Sequence, residues 1–551
     1  MKDSSMDVAR LEAGWFYNMR TGELKVHYKK SDPKVYSNQC YGLIMLLSPS
    51  SSSEICFSAP NVILGMLGDW WLSGLAVAAL VGFYFTFDRS RRREVWPRIS
   101  LRSRKTSAAG TPPRSISPDK KPGIGSVSQV NYADVLPPQR RQALAALRES
   151  PAQLKEIDEA EVKRFILPMT MDYRNCQEER YTPTGFSIEE IKKLGDFPDY
   201  AALSGVPLPH PYHEFVIDKA LPRPYRPFRW TYHQTMSLTK METDWWIELE
   251  GTYKARIAQR KELYTKHGSS VLGYLPGSEL ACKELMEMVL QFLCTRYPQY
   301  FSLEGKRIFK NRILDTEQDI RAKHPLEILL DNVPEDFAIM LRDEETGFYF
   351  LRAAVVCSAL GWNVGLKIGL QLHQIHEPIP DYKEKMQFSM DRFFTKMATD
   401  KPIQRGSWGL EIGQPLYMPP GDPHEKLRFS QDPRLQLADC NLRVDWQTLR
   451  RLPLSAAVVF NFKALFTPVS EFRDEPCVPA LVAKVLKEGK ENLMRYKNTW
   501  HVEHILLPKL EEWAKEQEEQ GLVDKNWQVA TLDESPWFRN WEDKWHRQQG
   551  F

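Results

Sequence analysis

Two histidines near the middle of the chain have the residue type and spacing that bind a metal or a haem iron. His373 and His376 lie three residues apart in IGLQLHQIHEPIPDY, on one face of a predicted helix that Pro378 must end. A neutral imidazole at a helix end offers a lone pair to iron, and the isoleucines beside it would keep one face of a macrocycle dry. A capping or core histidine without a ligand is the alternative, and a two-histidine metal site would need a third ligand such as His324.

Three arginines follow in NLRVDWQTLRRLP, in which LRVDWQTL predicts a strand over 442–449. Arg443 would share a face of that strand with Asp445, and Arg450 and Arg451 lie close behind. Arginines at a sheet edge can hold a carboxylate or a propionate through two parallel hydrogen bonds. More often such arginines form surface or structural ion pairs.

A third cluster lies in the aromatic segment RPYRPFRWTYHQTMSL, at 223–238. Arg229, Tyr232 and His233 crowd together there. Either the wall of a pocket or ordinary core packing would account for them.

The motifs of several common enzyme classes are absent from the chain. It contains no GxGxxG, GxxxxGK[ST], GxSxG or HExxH, which argues against Rossmann cofactor binding, a P-loop, an α/β-hydrolase and a zincin. The eight cysteines are scattered with no CxxC pair, so neither a zinc ribbon nor an iron–sulfur cluster is indicated. A net charge of +3 on 551 residues gives no reason to propose nucleic acid as a partner.

The elements that must position these residues follow an α+β pattern. Ser187 and Glu190 form a capping box at a helix start, and helices are predicted over 252–266 and 277–297. A hairpin follows, with strands in FAIMLRD and GFYFLRAAVVCS, then helices at 364–374 and 383–398 and three further strands from Ser407 onward. Short hairpin links predict an antiparallel sheet with helices on one side.

A membrane span is predicted before this region. The 18 residues at 70–87 carry no charge and are long enough to cross a bilayer core of about 30 Å. Eight Lys and Arg residues follow at 88–105, whereas the twenty residues before Pro60 have none, which places the C-terminal part in the cytosol. The expected location is therefore a membrane with a single pass, and the endoplasmic reticulum is the favoured organelle.

Composition divides the chain into six segments. They are an N-terminal disordered tail (1–61), a transmembrane helix (62–87), a basic Ser/Pro-rich linker (88–136), a helical and Pro-rich lead-in (137–219), the main α+β domain (220–515) and a C-terminal tail (516–551).

Several ordered motifs give the main domain a family resemblance. They are PYRPFRW, LGYLPGSELACKEL, HPLEILLDNVPEDFAIMLRD, VVCSALGW, KIGLQLHQIHEPIPDY, MDRFF and LRVDWQTLRRLP. In this order they resemble the haem-dependent oxidative N-demethylase alpha-subunit-like family, over about residues 220–515. The span and linker before them resemble the fungal, membrane-anchored members. Many relatives carry Glu-Arg before the QTLRRLP run, where this chain has Asp445 and Trp446.

The resemblance implies a haem b bound in a PAS-like α+β fold and used for catalysis. The family chemistry is oxidative N-demethylation of a small secondary amine by O2 and two electrons, which NADPH supplies through flavin and iron–sulfur partners. His376 becomes the expected proximal ligand, with His373 as its rival. The residues expected to hold the propionates are Arg443, Arg450 and Arg451, and those expected in the distal pocket are Tyr232 and His233.

These observations favour a membrane-anchored haem monooxygenase that receives electrons from a separate flavin-containing reductase. The alternatives are a haem-PAS sensor without turnover and a non-catalytic scaffold. A scaffold would bind no haem, and a sensor would bind haem without oxidising an amine.

Overall fold

The computed structural model describes residues 165–232 and 236–551, and three short strands near the N-terminus. These strands, β1 (Arg10–Leu11), β2 (Trp15–Tyr17) and β3 (Leu24–Val26), are antiparallel and belong to a unit that spans Met1–Ala109. The rest forms a second unit, Gly110–Phe551. The predicted span at 62–87, the linker at 88–136 and the lead-in before Phe165 lie outside the described residues. None of the described helices has both the length and the hydropathy that a membrane crossing requires.

Helices and strands alternate through the second unit. Its helices are α1 (Ile188–Leu194), α2 (Tyr200–Ser204), α3 (Tyr253–His267), α4 (Glu279–Arg296), α5 (Pro325–Asn332), α6 (Val364–Lys367), α7 (Leu372–Ile375), α8 (Tyr382–Lys385), α9 (Gln387–Lys396), α10 (Val478–Glu488), α11 (Glu491–Lys497), α12 (Trp500–Glu519) and α13 (Trp541–Gln549). Its strands are β4 (Thr239–Lys240), β5 (Leu272–Tyr274), β6 (Phe301–Glu304), β7 (Ile308–Asn311), β8 (Thr316–Asp319), β9 (Asp336–Arg342), β10 (Tyr349–Val355), β11 (Ile403–Ile412), β12 (Cys440–Arg451) and β13 (Val458–Pro468).

A seven-stranded antiparallel sheet organises this unit, in the order β4-β11-β12-β13-β9-β10-β5. The strands β6, β7 and β8 form a small separate sheet. The last long strand, β13, lies in the middle of the large sheet, between β12 and β9. The mixed helix and antiparallel-sheet class predicted from the sequence is confirmed, as are the capping box of α1 and the hairpin of β9 and β10.

Alternation along the strands gives the sheet a front face and a rear face. The front face carries Ile403 and Arg405 of β11, Leu449 of β12, and Phe460 and Phe462 of β13, since Ile403 pairs with Leu449 and Leu449 with Phe460. On the rear face the intervening residues of the same strands pack into two other core clusters. Both faces are therefore covered, and the predicted arrangement of helices on one side only is wrong.

Four short helices, α6 to α9, cover the front face where two longer ones were predicted. Gly369 separates α6 from α7 with a φ of +82°, a left-handed conformation that a helix cannot contain. Asp381, with a φ of +57°, begins α8 after the proline-rich turn. The chain between β10 and β11 consequently forms three single-turn helices, α6 to α8, and the ten-residue α9, and it brings His376 to the end of α7.

The rear face is covered by the longer helices. Helices α3, α4 and α5 pack against one half of it, and α10 and α12 against the other half. The C-terminal segment folds over the second half, where Phe538 is 1% exposed. The segment at 516–551 thus contributes to the core of this unit.

Helix α12 contains a buried histidine that should make stability depend on pH. His501 is fully buried, its Nδ1 donates to the carbonyl of Asn498 (2.9 Å), and burial followed by the charge of Arg428 lowers its pKa from 6.5 to about 4. Between pH 6.5 and pH 4 this histidine is protonated in the unfolded chain and neutral in the folded protein. The free energy of unfolding therefore falls as pH drops through this range, by at most about 1.4 kcal/mol per pH unit for this residue.

The expected result is that His501→Gln flattens this acid dependence. Urea denaturation of wild type and variant at a series of pH values measures it. Above pH 7 both side chains are neutral, so the difference between the two proteins should stay constant there. An unchanged slope in the variant would show that His501 is not the group that titrates.

Candidate haem pocket

His376 is held so that one ring nitrogen faces away from the protein backbone. Its Nδ1 lies 2.7 Å from the carbonyl oxygen of Leu372, an acceptor only, so Nδ1 carries the proton and Nε2 carries the lone pair. Its ring stacks on Tyr382 with centroids 5.2 Å apart and planes within 10°. Burial lowers the pKa of His376 to about 4, against the opposing effect of the Leu372 hydrogen bond. The imidazole is therefore neutral at physiological pH, and its Nε2 forms no hydrogen bond within the described chain.

Apolar side chains that are only partly buried surround this part of the front face. They pack against the cluster between the sheet and α6 to α9, and they are Met236, Trp362, Ile368, Ile375, Ile379, Phe393, Ile403 and Phe460. Ile375 and Ile379, which flank His376 in the chain, belong to this set, so a flat ligand bound to His376 would contact apolar side chains.

Arg405 places an unpaired positive charge on the front face, close enough to act on the pKa of His376. It lies on the front face of β11, its Nε is buried without a partner, and its guanidinium forms no hydrogen bond or ion pair with any described residue. Burial lowers its pKa, and its charge in turn contributes to lowering the pKa of His376. An isolated cation in a buried place is unfavourable unless an anion joins it.

A second cation lies close to Arg405. Lys497 donates to the carbonyl of Trp408 (2.6 Å) and to Ser407 Oγ (3.2 Å), and its Nζ is 4.9 Å from the Trp408 ring centroid. Burial, followed by the charge of Arg405, lowers its pKa to about 8. Arg405 and Lys497, which we call the cation pair, thus form a place for an anionic group near His376.

The predicted arginines lie elsewhere or already have partners. Arg443 donates to Asp445 Oδ1 (2.8 Å) and to the carbonyls of Pro415 and Ser358 (2.6 Å each), and it shares the face with Asp445 as predicted. Arg451 donates to the carbonyls of Met397 (2.6 Å) and Ala456 (2.8 Å). Both guanidinium groups hold backbone segments together.

Arg450 points to the other side of the sheet. It alternates with Leu449 of the front face, and its guanidinium lies 4.1 Å from the ring centroid of Trp246. Burial lowers its pKa to about 10, and its Nε is buried without a partner. The structure therefore does not bring Arg450 together with His376.

The remaining predicted residues take varied positions. Tyr232 lies 5.7 Å from Trp408 between ring centroids, and burial raises its pKa while the charge of Arg405 opposes this. His233 lies outside the described residues. His373 is a partly buried residue of α7, whereas His324 caps α5 and stacks on Tyr274 at 3.7 Å. Within the described chain, no group of three His, Cys, Asp or Glu side chains could hold a metal ion.

Sequence reasoning missed the cation pair. The strand that contains Arg405 was predicted to begin at Ser407, so the arginine fell outside it, and Lys497 lies about 90 residues later. Extending the strand to Ile403 would have placed Arg405 on the same face as Leu449, but no local pattern indicates Lys497.

The residues present fit a haem group. The free Nε2 of the neutral imidazole can bind the iron, and the apolar side chains can contact the macrocycle. The two cations can pair with the propionates. The comparison with protein families agrees with this arrangement. Residues 237–507 match the family described as haem-dependent oxidative N-demethylase, alpha subunit-like. The match includes His376 and the cation pair, and it begins after Tyr232 and His233.

Proposed function

We propose that the second unit is a haem-dependent oxygenase that demethylates a small secondary amine, with His376 as the axial ligand of haem b. The match of residues 237–507 to the N-demethylase family supports this function at the family level. The single observation on which the proposal depends is the geometry of His376, whose Nδ1 is held by Leu372 while Nε2 stays free. The sheet order β10-β9-β13-β12-β11, with four short helices on its front face, supports a PAS-like fold.

Each residue of the pocket has a defined task in this proposal. When bound, haem supplies the iron that activates O2 with two electrons. The bond from His376 to Leu372 fixes the orientation of the imidazole and increases its basicity, and the stacked ring of Tyr382 limits its rotation. The partly buried apolar residues exclude water from the reacting atoms.

The cation pair would bind the propionates, and this also affects the substrate. A secondary amine is a cation at neutral pH, which Arg405 and Lys497 would repel on their own. Two propionates neutralise them, so the amine can enter only once the cofactor is in place. Tyr232 stays the proposed distal residue because the charge of Arg405 acts on its phenol, although its ring packs beside Trp408 against the rear-face cluster.

The electrons and the location belong to the same proposal. The chain has neither a GxGxxG nor a GxxxxGK[ST] motif, so a separate flavin-containing reductase would supply two electrons from NADPH. A span at 62–87 would keep both proteins in one membrane, with this unit in the cytosol.

Haem binding and amine oxidation test the proposal together. The purified full chain is titrated with haem, and the Soret band is recorded. The loaded protein is then given NADPH, a generic flavin reductase and dimethylamine under air. The methyl carbon should appear as formaldehyde in equal amount to the monomethylamine formed, while the second oxygen atom leaves as water. A Soret band without formaldehyde would favour the sensor, and no Soret band would favour the scaffold.

Replacing Arg405 should change stability and haem affinity in opposite directions. Without haem, Arg405→Met removes a partly buried charge whose Nε is enclosed without a partner, so we expect the variant to be as stable as wild type or more stable by about 1 kcal/mol. With haem, the lost propionate contact should weaken binding by at least about ten-fold. Urea denaturation and haem titration measure the two effects.

A matched control is Arg434→Met. That guanidinium is 87% exposed and pairs with Asp432 at 3.0 Å, so neither quantity should change. Equal haem affinity of wild type and Arg405→Met would exclude Arg405 as a propionate ligand.

A further inference from the structure

Four aromatic rings are stacked in a continuous row on the rear side of the sheet. Ring centroids are 3.8 Å apart between Trp446 and Tyr225, 4.4 Å between Tyr225 and Trp537, and 4.0 Å between Trp537 and Trp541. The planes of these pairs are within 18°, 28° and 11° of parallel. Aromatic pairs in proteins usually have centroids 4.5–7 Å apart and offset or tilted rings. We call this row, with its overlapping π systems, the aromatic column.

The column runs from beneath the haem pocket to the protein surface. Trp446 is 5% exposed and lies on the rear face, and its neighbours in β12 point to the front face. Its ring lies over Gly406, where an added Cβ would be 3.2 Å from the indole, and Gly406 adjoins Arg405. One layer of sheet therefore separates the inner end from the cation pair. Trp537 and Trp541 are partly exposed, so the outer end reaches solvent.

The tyrosine of the column has a proton acceptor. Tyr225 is 1% exposed, and its hydroxyl donates to Glu248 Oε1. Arg223 donates to the same carboxylate (2.9 Å) and to Glu242 (3.0 Å). A phenol that loses an electron also loses its proton, and Glu248 is placed to receive it. Arg223 also donates to the Tyr225 hydroxyl, and its guanidinium lies 5.1 Å from the Tyr225 centroid and 5.0 Å from the Trp537 centroid. The carboxylates of Glu248 and Glu242, both paired with Arg223, offset its charge beside these rings.

We infer that the aromatic column conducts oxidising equivalents from the haem pocket to the surface. This inference rests on the proposed oxygenase function, which would leave an oxidised iron site whenever O2 is activated without an amine to consume it. Reducing electrons from a flavin would not use the column, because indole and phenol rings relay charge by being oxidised and do not accept electrons from such donors.

The electrons and protons balance at each step. Trp446 would give one electron to the oxidised iron site. Tyr225 would then reduce Trp446 and pass its own proton to Glu248. Trp537 would then give an electron to Tyr225 and receive one from Trp541, and the proton would return from Glu248 to Tyr225. A soluble thiolate or ascorbate at the surface gives the final electron to Trp541. In total the iron site would gain one electron, and the soluble reductant would lose one.

Pulse radiolysis of the haem-free full chain tests the column without its proposed cofactor. Azide radicals oxidise exposed indoles, and electron transfer from a tyrosine then converts the indole radical to a phenoxyl radical, which absorbs at a different wavelength. Wild type should show a fast conversion whose rate is independent of protein concentration. Tyr225→Phe and Trp537→Phe should each lose this phase and keep the initial yield of indole radical.

Tyr253→Phe is the matched control, because Tyr253 is a fully buried tyrosine whose hydroxyl donates to the Asn332 carbonyl at 2.7 Å, outside the column. It should retain the fast phase. A fast phase that persists in Tyr225→Phe would overturn the inference.

The haem-loaded protein gives the second measurement. With peroxide and no amine, freeze-quenched wild type should show a tyrosyl radical by electron paramagnetic resonance that Tyr225→Phe lacks, and the variant should bleach its Soret band sooner. Identical radicals and bleaching in the two proteins would also overturn the inference. Failure to bind haem, with a fast phase that depends on Tyr225, would instead overturn the proposed oxygenase and leave the column as a conductor.

Discussion

Replacing His376 with glycine is expected to remove the Soret band of the haem-loaded protein, and added imidazole is expected to restore it. The glycine removes the proposed iron ligand and leaves a space beside Tyr382, into which free imidazole can bind. Substituting residues that only support a metal ligand weakens binding 10–100-fold, so losing the ligand itself should cost at least about 100-fold in haem affinity. Absorption spectra of a haem titration, with and without imidazole, measure both effects.

His373→Gly is the control for this experiment. His373 lies inside α7, three residues before His376, which caps the C-terminus of that helix, so glycine at 373 disturbs α7 at least as much as glycine at 376. The control should keep its Soret band without imidazole. If His373→Gly loses the band and His376→Gly keeps it, the rival ligand predicted from the sequence is the correct one.

The second large effect concerns stability rather than haem. Glu475→Ala is expected to reduce the free energy of unfolding by about 3–5 kcal/mol. Arg226 is 1% exposed and Glu475 is fully buried. Two hydrogen bonds of 2.6 and 2.7 Å join the guanidinium to the carboxylate. Removing the carboxylate leaves a guanidinium inside the core with no compensating charge. Urea denaturation monitored by tryptophan fluorescence measures the loss.

An exposed pair of the same type provides the comparison. Arg473 donates two hydrogen bonds to Glu516, of 2.9 and 3.0 Å, at the surface. Glu516→Ala should cost less than about 1 kcal/mol, because water screens both charges. Equal losses in the two variants would mean that burial does not determine the strength of the Arg226 pair.

The strands and longer helices were predictable from the sequence because their signals are local. The alternation in β12 correctly placed Arg443 and Asp445 on one face, and the apolar spacing of α4 gave its length within about two residues at each end. The short helices on the front face were predicted as two long ones. The break at Gly369 comes from its left-handed φ, a backbone conformation that the residue type permits but does not require.

The candidate site was only partly predictable. His376 was recognised from its position before a proline-rich turn. The three arginines were chosen for their residue type, yet Arg443 and Arg451 satisfy backbone carbonyls and Arg450 faces the rear. Arg405 and Lys497 meet only after the sheet has folded, so contacts distant in the sequence, and not a motif, create this part of the site.

The central position of β13 has a consequence for synthesis on the ribosome. The hairpin β9–β10 is complete by Val355, but its inner neighbour begins only at Val458. About a hundred residues must therefore emerge from the ribosome before β13 pairs with the open edge of β9. Until then, that apolar edge can pair with strands of other chains. Chains that terminate before β13 should aggregate or recruit chaperones, whereas chains released after Pro468 have every strand of the sheet available.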